Sequence, residues 1–171
     1  LLPGFIDGHV HASGGGGEAG FASRVPAPLL SRYTSAGVTT VIGLLGTDDV
    51  SRGTSELLSH VYALREQGLG AWAYCGGYHI PPTTLTGSVR GDIVFSDARI
   101  GVGEVAISDH RASQPTLDDV LRLASVAEAA GGRIVSLVRP GALAMADALM
   151  VVRMLSNLLD NAIKFSPPGA S

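Results

Sequence analysis

From its start to about residue 140 the chain alternates short apolar runs with longer amphipathic stretches. That rhythm admits few folds, because it is the pattern of buried parallel strands joined by crossover helices. It predicts strands near residues 4–10, 38–45, 71–76 and 100–107, and helices near 28–36, 55–67 and 117–130. Gly37, Gly68 and Gly131 stand just beyond those helices as stop signals. Thr116, followed three residues later by Asp119, is placed to cap the third helix. The stretch YHIPPTTLTGSVRGD, residues 78–92, is too rich in Pro, Thr and Gly for a regular element and is expected to form a long loop or hairpin where the third strand ends. A βαβα succession fits either an open doubly wound sheet or part of a (β/α)8 barrel. The reactive side chains favour the barrel. His9 and His11, Thr47 and Asp48, Tyr78 and His79, and Glu104 with Asp109 to Arg111 all fall at or just past the carboxyl ends of the four expected strands, where a ring of loops would gather them.

Composition narrows the function. An apolar fraction of 46% with 16% charged residues in 171 positions supports a buried core in a globular chain. A net charge of -3 gives no electrostatic basis for nucleic acid or an anionic membrane as the main partner. Cys75 is the only cysteine, which excludes an internal disulfide and suits a reducing compartment. No apolar run approaches the roughly 20 residues that span a bilayer, and no leader sequence opens the chain, so the cytoplasm is the expected location. The chain starts without Met, in what reads as the middle of a strand, and is expected to be a fragment.

His9 and His11 point to one side of a strand, because side chains two residues apart share a face, so they could present two imidazoles to one metal ion. Two exposed histidines brought close by sequence alone fit the same spacing. The run GFID before them aims the pair at a strand end, and Asp7 could orient an imidazole from behind. Trp72 and Cys75 read as core residues, and His60 as a solvated helix residue.

PGFIDGHVH, GGGGEAG, AGVTTVIGLLGTD, GGYHIP, TGSV and AISDHR occur in this order and spacing in a pattern that resembles the isoaspartyl dipeptidase (β-aspartyl peptidase) family of the amidohydrolase superfamily, across residues 1–132. The resemblance implies a partial metal-dependent (β/α)8 barrel of about four βα units. It also implies two zinc ions in the complete site, a dipeptide linked through a β-carboxylate as substrate, metal-activated water as nucleophile, and assembly into homo-oligomers. By position it makes His9 and His11 metal ligands, Gly16, Glu18 and Thr47 holders of the substrate's charged amino acid end, Tyr78 a stabiliser of the scissile carbonyl's oxyanion, and Arg111 a clamp on a substrate carboxylate. Many members carry a carboxylated lysine at the position of Glu104; Lys164 is the only lysine here, so Glu104 becomes the expected metal bridge, with a plain polar strand-end role as the alternative. His79 and His110 read as loop or supporting residues rather than ligands, and Asp48 and Asp109 as helix caps or supports. The later histidines and the aspartate that complete the family's site have no counterpart in the sequence, so catalysis by this chain is expected to be absent or nearly so.

The tail departs from that pattern. RMLSNLLDNAIKFSPPG resembles the N-box of a sensor histidine kinase ATP-binding domain, so residues 133–171 are expected to add a strand and helix of that type. The resemblance implies that Asn161 binds the magnesium of MgATP while Asn157 and Lys164 line its phosphates. The glycine-rich boxes that close over ATP are absent, and a junction of two truncated coding segments near Gly132 accounts for both signatures. The alternatives to a hydrolase fragment are therefore an ATP-binding kinase fragment or a chimeric α/β domain without activity.

Overall fold

The computed structural model describes residues 2–107 and 109–132, which lie in one compact unit, Leu1–Val135. The expected strand and helix after residue 132, with Asn157, Asn161 and Lys164, lie outside the described residues.

Four parallel strands carry the unit: β1 (Phe5–Val10), β4 (Val38–Gly43), β5 (Gly70–Cys75) and β6 (Arg99–Val102), paired in the order β1-β4-β5-β6. Each new strand adds on the same side of the last, as around a barrel. A doubly wound sheet instead reverses direction at its first strand. Between β1 and β4 lie two short antiparallel strands, β2 (Gly15–Gly16) and β3 (Arg24–Val25), which the alternation did not predict. Helices α1 (Leu30–Ser35), α2 (Thr54–Glu66), α3 (Val89–Phe95) and α4 (Leu117–Ala129) complete the unit.

The helix ends follow the sequence chemistry. Gly37, Gly68 and Gly131 take positive φ just past α1, α2 and α4, a conformation open to glycine at little cost. Thr116 and Asp119 form a reciprocal capping box on α4. The core joins the sheet to α2, whose Leu57, Val61 and Leu64 recur at helical spacing and pack with Val41, Ala71 and Ala73. Burying Leu57 or Val61 fully is worth about 1.5–3 kcal/mol over leaving it exposed. A second cluster packs Cys75 and Val102 beneath Val89 and Ile93 of α3 and Ala127 of α4.

Three expectations change. The stretch 78–92 ends in the first turn of α3, because Ser88 accepts a hydrogen bond from the Gly91 amide and caps a helix inside what reads as loop. The fourth strand stops at Val102 instead of continuing to 107; the Gly103 amide still bonds the Cys75 carbonyl, after which the chain turns away. Trp72 is only partly buried, since its ring lies under the Arg65 guanidinium at 5.2 Å, whereas Cys75 is fully buried. At one side of the sheet β1 leaves Phe5 and Ile6 67% and 71% exposed. Among the described residues no helix is long and apolar enough to cross a membrane.

Candidate metal centre

His9 lies on the last turn of the pleat in β1 and His11 just past it, with their rings edge to face at 5.7 Å between centroids. Glu104 reaches them from beyond β6, placing its Oε2 3.4 Å from His9 Nε2. One ligand atom from each of the three residues lies within 4.8 Å of the others. His9 and Glu104 keep 32% and 25% of their side chains exposed, so the trio is open to small solutes.

Glycines make room for His11. A side chain on Gly46, which itself has a φ of 74°, would meet the ring 2.9 Å from Nδ1, and one on Gly15 would press on its Cβ at 3.3 Å. Burial drives the His11 pKa below its ordinary value, more strongly than the Glu104 carboxylate raises it, so the ring favours the neutral form that metals bind. Its Nδ1 is buried and makes no hydrogen bond of normal geometry, while the Leu45 backbone acts on the ring to raise its pKa. Two imidazoles and a carboxylate form a donor set that suits zinc or a similar divalent ion.

The glycine run 14–17 builds the adjoining loop rather than a phosphate cradle. Gly14, Gly16 and Gly17 adopt positive φ, and a side chain on Gly16 would collide with the Ser23 carbonyl across the β2–β3 pair. Arg52, buried ahead of α2, staples this loop by donating to the carbonyls of Ser13, Gly15 (3.3 Å) and Val25 (3.1 Å). Asp48 joins the same network through Arg24 at 3.1 Å and caps the turn at Ser51. Burial opposes ionisation of Asp48, but the Ser51 hydrogen bonds with Arg24 and Arg52 hold its carboxyl below the usual range.

The loop presents Glu18 to a charged rim. Thr47 Oγ1 donates to Glu18 Oε1 at 3.4 Å, and Arg111 Nη1 lies 3.5 Å from that oxygen. Arg111 lies 5.6 Å from the centre of the Tyr78 ring, in cation–π range. Its fork is already engaged by Asp109, with Nε donating at 2.9 Å and Nη2 at 2.6 Å, which holds the Asp109 carboxyl far below the carboxylate range and raises Arg111. The structure thus unites Glu18, Thr47, Tyr78 and Arg111, with Gly16 in the same loop, and Glu18 acts electrostatically on His11.

One supporting assignment needs correction. Asp7 accepts the backbone amide of His9 at 3.1 Å, because a short side chain two residues back reaches that amide more readily than the ring. His110 sits in an exposed turn, with its Nδ1 3.5 Å from Asp109 Oδ1. Sequence reasoning missed Arg52 and Asp49; Asp49 is buried and holds His79, and only proximity across distant loops identifies either residue.

The fold and this trio together define a parallel β/α unit with a candidate metal site at the carboxyl ends of its strands. No protein-family model matches the chain. It is similar to two solved structures of a β-aspartyl dipeptidase from the thermophilic keratin-degrading Fervidobacterium islandicum AW-1, one of them in complex with a β-Asp-Leu dipeptide. Each gives 50% identity and a TM-score of 0.75 over 76% of this chain. The chain spans 35% of the length of those dipeptidase chains.

Proposed function

We propose that the described unit is the metal-binding and substrate-end portion of a β-aspartyl dipeptidase, with His9, His11 and Glu104 as zinc ligands. The observation that carries this reading is the convergence of those three side chains from opposite ends of the described sequence onto one point. When bound, zinc supplies Lewis acidity and lowers the pKa of water. The protein residues do the rest of the selection. Glu18 offers a carboxylate to the substrate's ammonium group, Thr47 orients that carboxylate, and Gly16 brings backbone close to the same end. Arg111, shared with Asp109, faces a substrate carboxylate, and the Tyr78 hydroxyl donates to the carbonyl oxygen of the scissile bond as negative charge develops.

A chain covering 35% of the dipeptidases it matches is proposed to bind metal and dipeptide without comparable turnover. Calorimetric titration with zinc, followed by β-Asp-Leu, tests this. Saturable zinc binding that is lost in His11→Ala, together with dipeptide binding lost in Glu18→Gln, supports the reading. Undiminished zinc binding in His11→Ala sinks it, and hydrolysis at an ordinary enzyme's rate would overturn the proposed inactivity.

A further inference from the structure

The loop carrying Tyr78 is tied down by a polar contact outside both the metal trio and the charged rim. Asp49, just past β4, is buried with its carboxylate only 2% exposed, and both its oxygens lie 2.8 Å from His79 Nδ1. A carboxylate buried to that degree is costly unless it is paired. The chain between β5 and His79 is shaped to permit the contact: a side chain on Gly77 would stand 2.8 Å from Asp49 Oδ2. Around the pair, the Tyr78 amide donates to the Gly46 carbonyl at 3.1 Å, the Ala106 amide donates to the Tyr78 carbonyl at 3.2 Å, and the Ile80 amide donates to Ser113 Oγ at 2.9 Å. The loops after β4, β5 and β6 therefore meet at Tyr78. Asp49–His79 is the one side-chain pair among these ties that joins the loop after β4 to the loop after β5.

We infer that Asp49 and His79 are positioning residues that lock the Tyr78 loop in place for the dipeptide, an assignment that rests on the dipeptidase reading above. The contact runs through His79 Nδ1, which separates its role from that of a general polar residue. Asparagine places an amide nitrogen near the position of Nδ1, whereas glutamine places one nearer Nε2.

The test compares the intact chain with His79→Asn, His79→Gln and His79→Ala by three measurements: zinc stoichiometry, hydrogen exchange at the Tyr78 amide, and calorimetric affinity for β-Asp-Leu with zinc present. All four proteins are expected to hold zinc equally, which also reports that each variant folds. Wild type and His79→Asn are expected to protect the Tyr78 amide and bind the dipeptide alike, while His79→Gln and His79→Ala lose protection and bind about tenfold or more weakly. Wild-type behaviour of His79→Gln, or failure of His79→Asn to rescue, overturns the inference. Lost protection with unchanged dipeptide affinity overturns the positioning role. Wild-type protein that holds zinc but binds no β-Asp-Leu sinks the dipeptidase reading instead, and the exchange result then decides the pair by itself.

Discussion

Two polar clusters share the carboxyl-end loops, and they differ in how many contacts each makes within the fold. Arg52 donates to three backbone carbonyls, while its Nε, buried without a hydrogen-bond partner, lies 3.8 Å from Asp48. The trio of His9, His11 and Glu104 is held together by one polar contact, at 3.4 Å, and an edge-to-face packing of its two rings. Polar groups that largely satisfy one another are architecture. Metal-ligating groups that the fold gathers with few contacts among themselves could hold an ion.

The contrast predicts that damage to the two clusters shows up in different measurements. The largest effect is expected from His11→Ala: zinc affinity, measured by competition with a chromophoric chelator, should fall more than about 100-fold, since even residues that merely support ligands cost 10–100-fold. Midpoint urea stability of the metal-free protein should barely change. A loss of stability without a loss of zinc would break the distinction.

Arg52→Met is expected to do the reverse, costing about 3 kcal/mol in urea unfolding because three carbonyls and Asp48 lose a buried partner. Zinc affinity should suffer far less than in His11→Ala. Gly46→Ala touches both properties. Its φ of 74° and its approach to His11 predict about 1–2 kcal/mol of destabilisation and roughly tenfold weaker zinc binding, read by the same two assays.

The smallest effect concerns pH. Burial lowers the His11 pKa, so on acidification the unfolded chain takes up the proton first, and metal-free stability should fall as pH drops through the ordinary histidine value of 6.5. Urea midpoints at pH 7 and pH 5 measure this, and the dependence should be shallower in His11→Ala. An unchanged dependence in that variant would mean that His11 is not the group responsible.

The sequence disclosed whatever repeats along it or acts on near neighbours. Four strands and three of the helices followed from apolar rhythm, and glycine and Thr116 marked helix boundaries, because those preferences are local. His9 and His11 were visible through the two-residue period of a strand. Glu104 was reached by resemblance, and its contact with His9 then appeared in the structure. The pair β2–β3 was invisible because two-residue strands carry no period. Arg52 and Asp49 were missed for a different reason. Their partners lie up to 39 residues away, as from Arg52 to Ser13, so nothing in TDDVSRG reveals that its charges are buried.

That long span also bears on biosynthesis. The glycine loop leaves the ribosome ahead of the clamp that shapes it, with Arg52 lying 39 residues behind Ser13, and Glu104 emerges only after β5 and β6. A nascent chain therefore carries His9 and His11 before Glu104 exists, and chain closure over such distances carries an entropic cost that local contacts do not. On the metal-binding reading proposed above, a site of all three side chains exists only once β6 has docked.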